Sequence, residues 1–449
     1  MKRRDFMTSV LGAGFAASNG FSPWVRAAAA AEPGSEASHR YFVFCYFSGG
    51  WDILLTLDPR DPIAFGASNV EATRIHAGYE LLDDAPEYPI IETACGPMGY
   101  FTGDLFAKYG ERIAVVRGLN METLSHDGGQ KRFVTGKAPS GTQARGSSAA
   151  TWLASKLGQQ DIIPNLVSRA MSFNADQPPY ASGIKVANVQ DLLRAVRPSD
   201  PALSPALAAQ LDAVLAETAL CPGALASPFH QSAAFARVKA SQMVSGGIED
   251  TFDFLANTPE MLALREHYGF GNNLNTGAAR IAMAGQAIMS GVSRCVTVNV
   301  AGGLDTHDQG WTQNQGPRQM AGFNAITRLA EDLESREYRD TGTSWLDHTT
   351  IVAYSEFSRT PRINERVGRD HWLVSASMVM GPDIVGGQVV GKSSDVGMEA
   401  VQTDLATGQP SQGGEILKPE HLLQTLFHTV NVTDDPADLR VDPIAALLK

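Results

Sequence analysis

A chain of 449 residues that is 43% hydrophobic and 8% aromatic can bury a large core, as one big domain or two ordinary ones, and is too apolar for intrinsic disorder. Its net charge of -12, with no Lys/Arg cluster beyond the N-terminus, excludes the basic footprint that nucleic-acid binding needs. Past the first residues no run is long and apolar enough for a permanent membrane span.

The chain opens with "MKRRDFMTSVLGAGFAASNGF" and continues to "RAAAAAE". A basic head carrying Arg3 and Arg4, a weakly apolar run and a small-residue stretch together read as a removable export signal over residues 1–31. The adjacent arginines are of the twin-arginine type, although Lys2 stands where Ser or Thr is commoner. The expectation is a bacterial protein carried by the twin-arginine export machinery to the periplasm or another extracytoplasmic compartment. That destination is oxidising, and four cysteines allow pairing. Cys45 and Cys295 lie in apolar runs as buried thiols, whereas Cys95 and Cys221 lie in turn-rich loops and are free to pair with each other. Without a CxxC, a cysteine zinc site is not expected.

Residues 32–449 read as one α/β domain. Five runs have the continuous apolar character of strands buried on both faces: "YFVFCYF" from Tyr41, "RIAVVRG" from Arg112, "CVTVNV" from Cys295, "TTIVAYS" from Thr349 and "SASMVMG" from Ser375. Helical patterns separate them, in "GYFTGDLFAKYG", "SSAATWLASKLG", "TGAARIAMAGQAIMSG" and "PRQMAGFNAITRLAEDLESRE". The alternation predicts a mainly parallel sheet with helices on both faces. From about 160 to 260, Pro-rich loops alternate with Ala/Leu patches such as "PALAAQLDAVLAETAL", which reads as a helical insertion.

The polar chemistry falls just after the strands. The first runs into "SGGWD" with Asp52, the second is followed by "SHDGG" with Ser125 and His126, and the third by "GGLDTHD" with Asp305 and His307. The fourth runs into "SEF" with Glu356, and "GRDHW" with His371 comes next. In an open parallel sheet the ligand crevice lies beyond the carboxyl ends of the strands, so these clusters should meet on one rim. Asp52, His126, Asp305, His307, Glu356 and His371 offer the oxygen and imidazole donors that suit one or two divalent ions, Zn, Mn or Fe. Asp308 and Asp370 read equally as extra ligands or as groups that orient an imidazole. His39, His76, His230, His267, His348, His421 and His428 lack such placement and read as surface or capping residues.

Two other patterns carry no chemistry. "GGQVVGKS" formally matches a phosphate loop, but "SDVGMEAVQTD" after it has no helical stripe to supply the amides, so it reads as a turn between short strands. No GxSxG elbow supports a serine hydrolase.

The motifs "SGGWD...LDPR", "SHDGGQKRFVTG", "GGLDTHDQ", "YSEFSRTPR", "GRDHW", "VGGQVVG" and "HLLQTLFHTVNV" make the chain resemble a family of twin-arginine-exported bacterial proteins catalogued as domain of unknown function 1501. That family is similar to the alkaline phosphatase and sulfatase superfamily. The resemblance implies an alkaline phosphatase-like three-layer sandwich and two-metal hydrolysis of phosphate or sulfate esters. It assigns Asp52 and Glu356 to one metal site and Asp305, His307 and His371 to the other. Two departures stand out. The slot of the attacking hydroxyl, counted back from Thr135-Gly136, holds His126 with Ser125 before it, and Phe357 replaces an expected histidine after the fourth strand. His126 then supplies the imidazole that Phe357 cannot, and hydrolysis falls to a metal-activated water or to Ser125. Arg359 or Arg132 is the candidate clamp for a small ester's anionic group, with a surface salt bridge as the alternative for Arg359. A second function class fits the missing nucleophile: a metal-binding, non-catalytic periplasmic partner or assembly protein.

Overall fold

The computed structural model describes residues 39–197, 228–245 and 247–449, with scattered positions between 204 and 214. The export segment 1–31, Cys221 and most of "PALAAQLDAVLAETAL" lie outside the described residues. Among the described residues twelve strands follow in chain order: β1 (Tyr41–Phe47), β2 (Ile90–Thr93), β3 (Gly96–Gly99), β4 (Ile113–Asn120), β5 (Asn165–Ser168), β6 (Ile184–Val186), β7 (Cys295–Ala301), β8 (Thr349–Tyr354), β9 (Ser358–Arg359), β10 (His371–Trp372), β11 (Val374–Met380) and β12 (Gln388–Val390). The helices of eight or more residues among the described residues are α1 (His126–Thr135), α2 (Ala149–Leu157), α3 (Val189–Val196), α4 (Pro228–Ser245), α5 (Pro259–Tyr268), α6 (Gly277–Met289), α7 (Gly310–Ser335) and α8 (Pro419–His428).

Eight strands form one sheet in the order β12-β4-β11-β8-β1-β7-β5-β6. The five runs legible in the sequence are its contiguous centre, from β4 to β7. Every pairing is parallel except those of β11, which runs against both β4 and β8. The register sets Val43 of β1 beside Val296 of β7 and Ile351 of β8.

Side-chain alternation along β1 builds two cores. Tyr41, Val43, Cys45 and Phe47 pack with the inner faces of α6 and α7, including Met283, Phe323 and Ile326. Phe42, Phe44 and Tyr46 pack on the other side with α1, α2 and α8, including Phe133, Trp152 and Leu422. The result is a helix–sheet–helix sandwich, because a strand apolar at every position must be covered on both faces. Fully burying one such Phe is worth roughly 1.5–3 kcal/mol.

The stretch from 160 to 260 is not wholly helical. It first extends the sheet through β5 and β6, and only then gives α3, α4 and the start of α5. These strands have four and three residues, too short to show as apolar runs. Cys45 and Cys295 are buried free thiols as expected; Cys95 is also buried, and its thiol donates to the carbonyls of Gly110 and Ile113 at 3.1 Å each. The phosphate-loop look-alike is β12 followed by a turn, with no helix after it. No helix among the described residues is long and apolar enough to cross a membrane.

Candidate metal centre

Strands β1, β4, β7 and β8 run in one direction, so their carboxyl ends share an edge of the sheet. Strand β11 runs the other way and starts at that edge, with β10 just before it. The sequence clusters are therefore delivered to one rim, as the topological rule requires. Close backbone approach fixes the loops there. Gly49, at φ +111°, would carry a Cβ 2.6 Å from the Asp305 amide nitrogen, so only glycine lets the β1 and β7 loops touch. Gly129 does the same for α1, since a Cβ there would lie 2.2 Å from the Glu356 carbonyl oxygen.

One carboxylate oxygen is the centre of the cluster. Asp305 Oδ1 lies 2.9 Å from His307 Nε2, 3.2 Å from His126 Nε2 and 3.3 Å from His371 Nε2, and it accepts a hydrogen bond from Arg359 Nη2 at 2.7 Å. The ligand atoms of His126, Asp305 and His371 all lie within 4.8 Å of one another, and His307 Nε2 is 3.0 Å from His371 Nε2. Half of the Asp305 side chain is exposed, so the cluster opens to solvent.

The outer nitrogens of the three rings determine what the inner ones can do. His126 Nδ1 is 2.7 Å from Glu356 Oε1, His307 Nδ1 is 2.6 Å from Asp370 Oδ1, and His371 Nδ1 is 2.7 Å from the Leu124 carbonyl oxygen. Ionised carboxylates and carbonyls only accept, so each Nδ1 carries a proton and donates. In a neutral ring the Nε2 is then a lone pair. Three imidazole Nε2 atoms thus converge on an anionic oxygen, an arrangement that could hold a cation. His126 Nε2 makes the point most directly: it is buried and has no hydrogen-bond partner, since its 3.2 Å approach to Asp305 is not aligned as a hydrogen bond. Arg359 Nη1 gives His307 Nε2 only a 3.4 Å contact.

The hydrogen bond to Glu356 raises the pKa of His126, while burial lowers that of His371 against the pull of the Leu124 carbonyl and Asp305. Burial works against the Asp305 and Glu356 carboxylates, yet Arg359 holds Asp305 well below the usual range and His126 lowers Glu356. His307 lowers Asp370 in the same way. The separations from Asp305 Oδ1 to the three Nε2 atoms and between His307 and His371 Nε2, 2.9–3.3 Å, are near the edge of about 3.3 Å in a tetrahedron of nitrogen and oxygen ligands around a zinc-like ion. His126, Asp305 and His371, with His307 beside them, are the residues that could hold an ion.

Other residues singled out in the sequence sit elsewhere. Glu356, buried, orients His126 and also accepts from the Gly49 amide at 2.8 Å and the Ser355 hydroxyl at 2.9 Å. Asp52 does not join the cluster: it is buried against Arg369 at 2.9 Å, accepts from the Trp311 indole at 2.8 Å and caps a short turn through the Leu54 amide. Arg359 is neither a solvent-facing clamp nor a surface salt bridge. It is 1% exposed, and its donors go to the Gly49, Gly50 and Arg369 carbonyls, to Asp305 and toward His307. Arg132 is likewise committed, to Glu122, Glu420 and the Gly136 carbonyl. Ser125 is exposed and its hydroxyl oxygen accepts the Gly128 amide as the cap of α1. Of the two residues read equally as extra ligands or as groups that orient an imidazole, Asp370 contacts His307 Nδ1 and orients it, whereas Asp308 accepts from the Gly310 amide at the start of α7. Among the remaining histidines, His421 caps α8 as expected but is buried.

Sequence reasoning passed over Arg369 and the Leu124 carbonyl. Arg369 sat inside the quoted "GRDHW", but its role depends on a pocket contributed by residues 76–78 and 311, which no local pattern reveals. A backbone carbonyl leaves no sequence signal at all. Phe357 is buried, its ring centroid 4.7 Å from that of His126 and 4.3 Å from that of His371, and the two imidazoles are 4.6 Å from each other, so Phe357 packs against both.

Fold and site together define an α/β protein with a histidine–carboxylate cluster at its strand ends. The chain belongs to the family described as "Protein of unknown function (DUF1501)", whose sequence pattern matches residues 41–409. No curated protein matches the chain.

Proposed function

We propose that this is an exported, metal-dependent hydrolase of small phosphate or sulfate esters, with an alkaline phosphatase-like sandwich and a centre built from His126, Asp305, His307 and His371. The observation that carries the reading is the convergence of the Nε2 atoms of three imidazoles on Asp305 Oδ1. A divalent ion at these atoms supplies Lewis-acid polarisation of an ester oxygen and a water acidic enough to attack. The chain's own contribution is orientation. Glu356, Asp370 and the Leu124 carbonyl hold the rings, and Arg359 fixes the Asp305 carboxylate and the turn at Gly49 and Gly50. Export through the twin-arginine machinery to the periplasm is part of the same proposal, from Arg3 and Arg4.

One observation favours the second reading, a metal-binding partner protein without catalysis. Arg359 gives its donors to backbone carbonyls and to Asp305, nearby Arg369 gives its own to backbone carbonyls and pairs with buried Asp52, and the Ser125 oxygen caps a helix. Metal analysis of the folded protein, with a screen of phosphate mono- and diesters and sulfate esters, separates the two. Metal with turnover supports the hydrolase, metal without turnover supports the partner protein, and a metal-free, metal-refusing protein rules out both.

A further inference from the structure

The two carboxylates that a second ion would need are both engaged by the protein itself. Glu356 Oε1 accepts from the Gly49 amide and faces His126 Nδ1, and its Oε2 accepts from Ser355. Asp52 is fully buried, its Oδ1 accepting from the Leu54 amide at 3.1 Å and its Oδ2 from the Trp311 indole at 2.8 Å. A carboxylate so far from water needs a countercharge. Arg369 provides it: Nε stands 2.9 Å from Asp52 Oδ2, an ion pair, not an aligned hydrogen bond.

Arg369 is held as firmly as a structural ion. It is fully buried; Nη1 donates to the carbonyls of Thr360 and Pro361 at 2.8 and 2.9 Å, and Nη2 to those of His76 and Ala77 at 2.6 and 2.9 Å. The guanidinium carbon lies 4.8 Å from the Trp311 ring centroid, in cation–π range. The pocket is closed at Gly78, where a Cβ would come within 3.0 Å of Nη2 and 3.1 Å of the Trp311 ring. Unlike lysine, arginine keeps its proton in such a place. Displacing it would take a donor from each of four carbonyl oxygens in a largely buried pocket, a costly loss.

We propose that this chain binds one divalent ion, not two, and that Arg369 is a permanent, protein-supplied cation in place of the second, neutralising Asp52. The inference rests on the metal reading of the His126–Asp305–His307–His371 cluster. Arg369 is a positioning residue for Asp52 and for the loops at 76–78 and 360–361, and it touches no reacting atom.

The test is a count. Full-length protein stripped with chelator, reloaded with excess Zn²⁺ or Mn²⁺ and freed of unbound ion, should hold one ion per chain by elemental analysis and calorimetric titration. Asp52→Asn should still hold one ion per chain while melting at lower temperature, because Arg369 loses its partner and the cluster does not. Two ions in the wild type would overturn the inference and leave the metal reading standing. No ion in the wild type would overturn the metal reading and this inference with it. Loss of the ion from a cooperatively folded Asp52→Asn would also overturn the inference, and the wild-type count decides even if that variant does not fold.

Discussion

His126 Nε2 and Asp305 Oδ1 stand 3.2 Å apart with no hydrogen bond between them, and the nitrogen has no other partner. Its ring is held from behind by Glu356. Removing the donor and loosening its support should therefore have graded effects. His126→Ala should cost more Zn²⁺ or Mn²⁺ affinity than Glu356→Gln, for which about 10–100-fold is expected from the loss of an orienting carboxylate. Competition against a chelator of known affinity measures both. Full metal occupancy in His126→Ala would show that this imidazole holds no ion.

Asp370 and Asp308 are near neighbours of the site with different tasks, one on His307 Nδ1 and one at the start of α7. Asp370→Asn should weaken metal binding by about 10–100-fold, whereas Asp308→Asn should leave it unchanged. Equal effects from the two would contradict the orienting role.

Ser125 caps α1 from an exposed position. Ser125→Ala should lower stability by about 1 kcal/mol, the usual value of such a cap, with the metal content of wild type. The readouts are thermal melting and elemental analysis. A Ser125→Ala protein that folds normally but has lost its metal would place the hydroxyl at the ion.

The metal-free protein should be sensitive to acid. Asp305, Glu356 and Asp370 have folded pKa values below their unfolded ones, so the stability each adds is present above about pH 4 and is lost as pH falls through the folded values. The melting temperature of chelator-treated protein should drop on acidification, and the gap between wild type and Asp370→Asn should close as it does. A gap that stays constant down to pH 3 would mean that the Asp370–His307 pair contributes nothing.

Arg3→Lys together with Arg4→Lys should leave the precursor in the cytoplasm, because the paired guanidinium groups are the readable part of the signal. Fractionation of the expressing cells reports it. Unchanged periplasmic delivery of the double variant would remove the twin-arginine route.

The central strands were legible because burial on both faces leaves an unbroken apolar run, as in "YFVFCYF". Edge strands such as β6 and β12 have three residues each and are half-covered, so their sequences carry no such mark. At the site, strand-end position was enough to gather His126, Asp305, His307 and His371. It could not rank them against Asp52 and Glu356, because a carboxylate looks the same in sequence whether it faces an ion, an arginine or an imidazole. Arg359 shows the same limit. Its donors are consumed by Gly49 and Gly50, more than three hundred residues earlier in the chain, and only the folded backbone brings those carbonyls to it.

The donors around Asp305 come from chain positions as distant as 126 and 371, so the site does not exist in the unfolded polypeptide. An ion bound there acts as a staple across most of the sequence, and its binding energy is spent on holding the fold together. A chain that crosses a membrane already folded takes its staple along. If the chain is exported with its ion, as proposed, that ion would record the supply where the chain folded, before export, whatever the composition of the compartment it reaches.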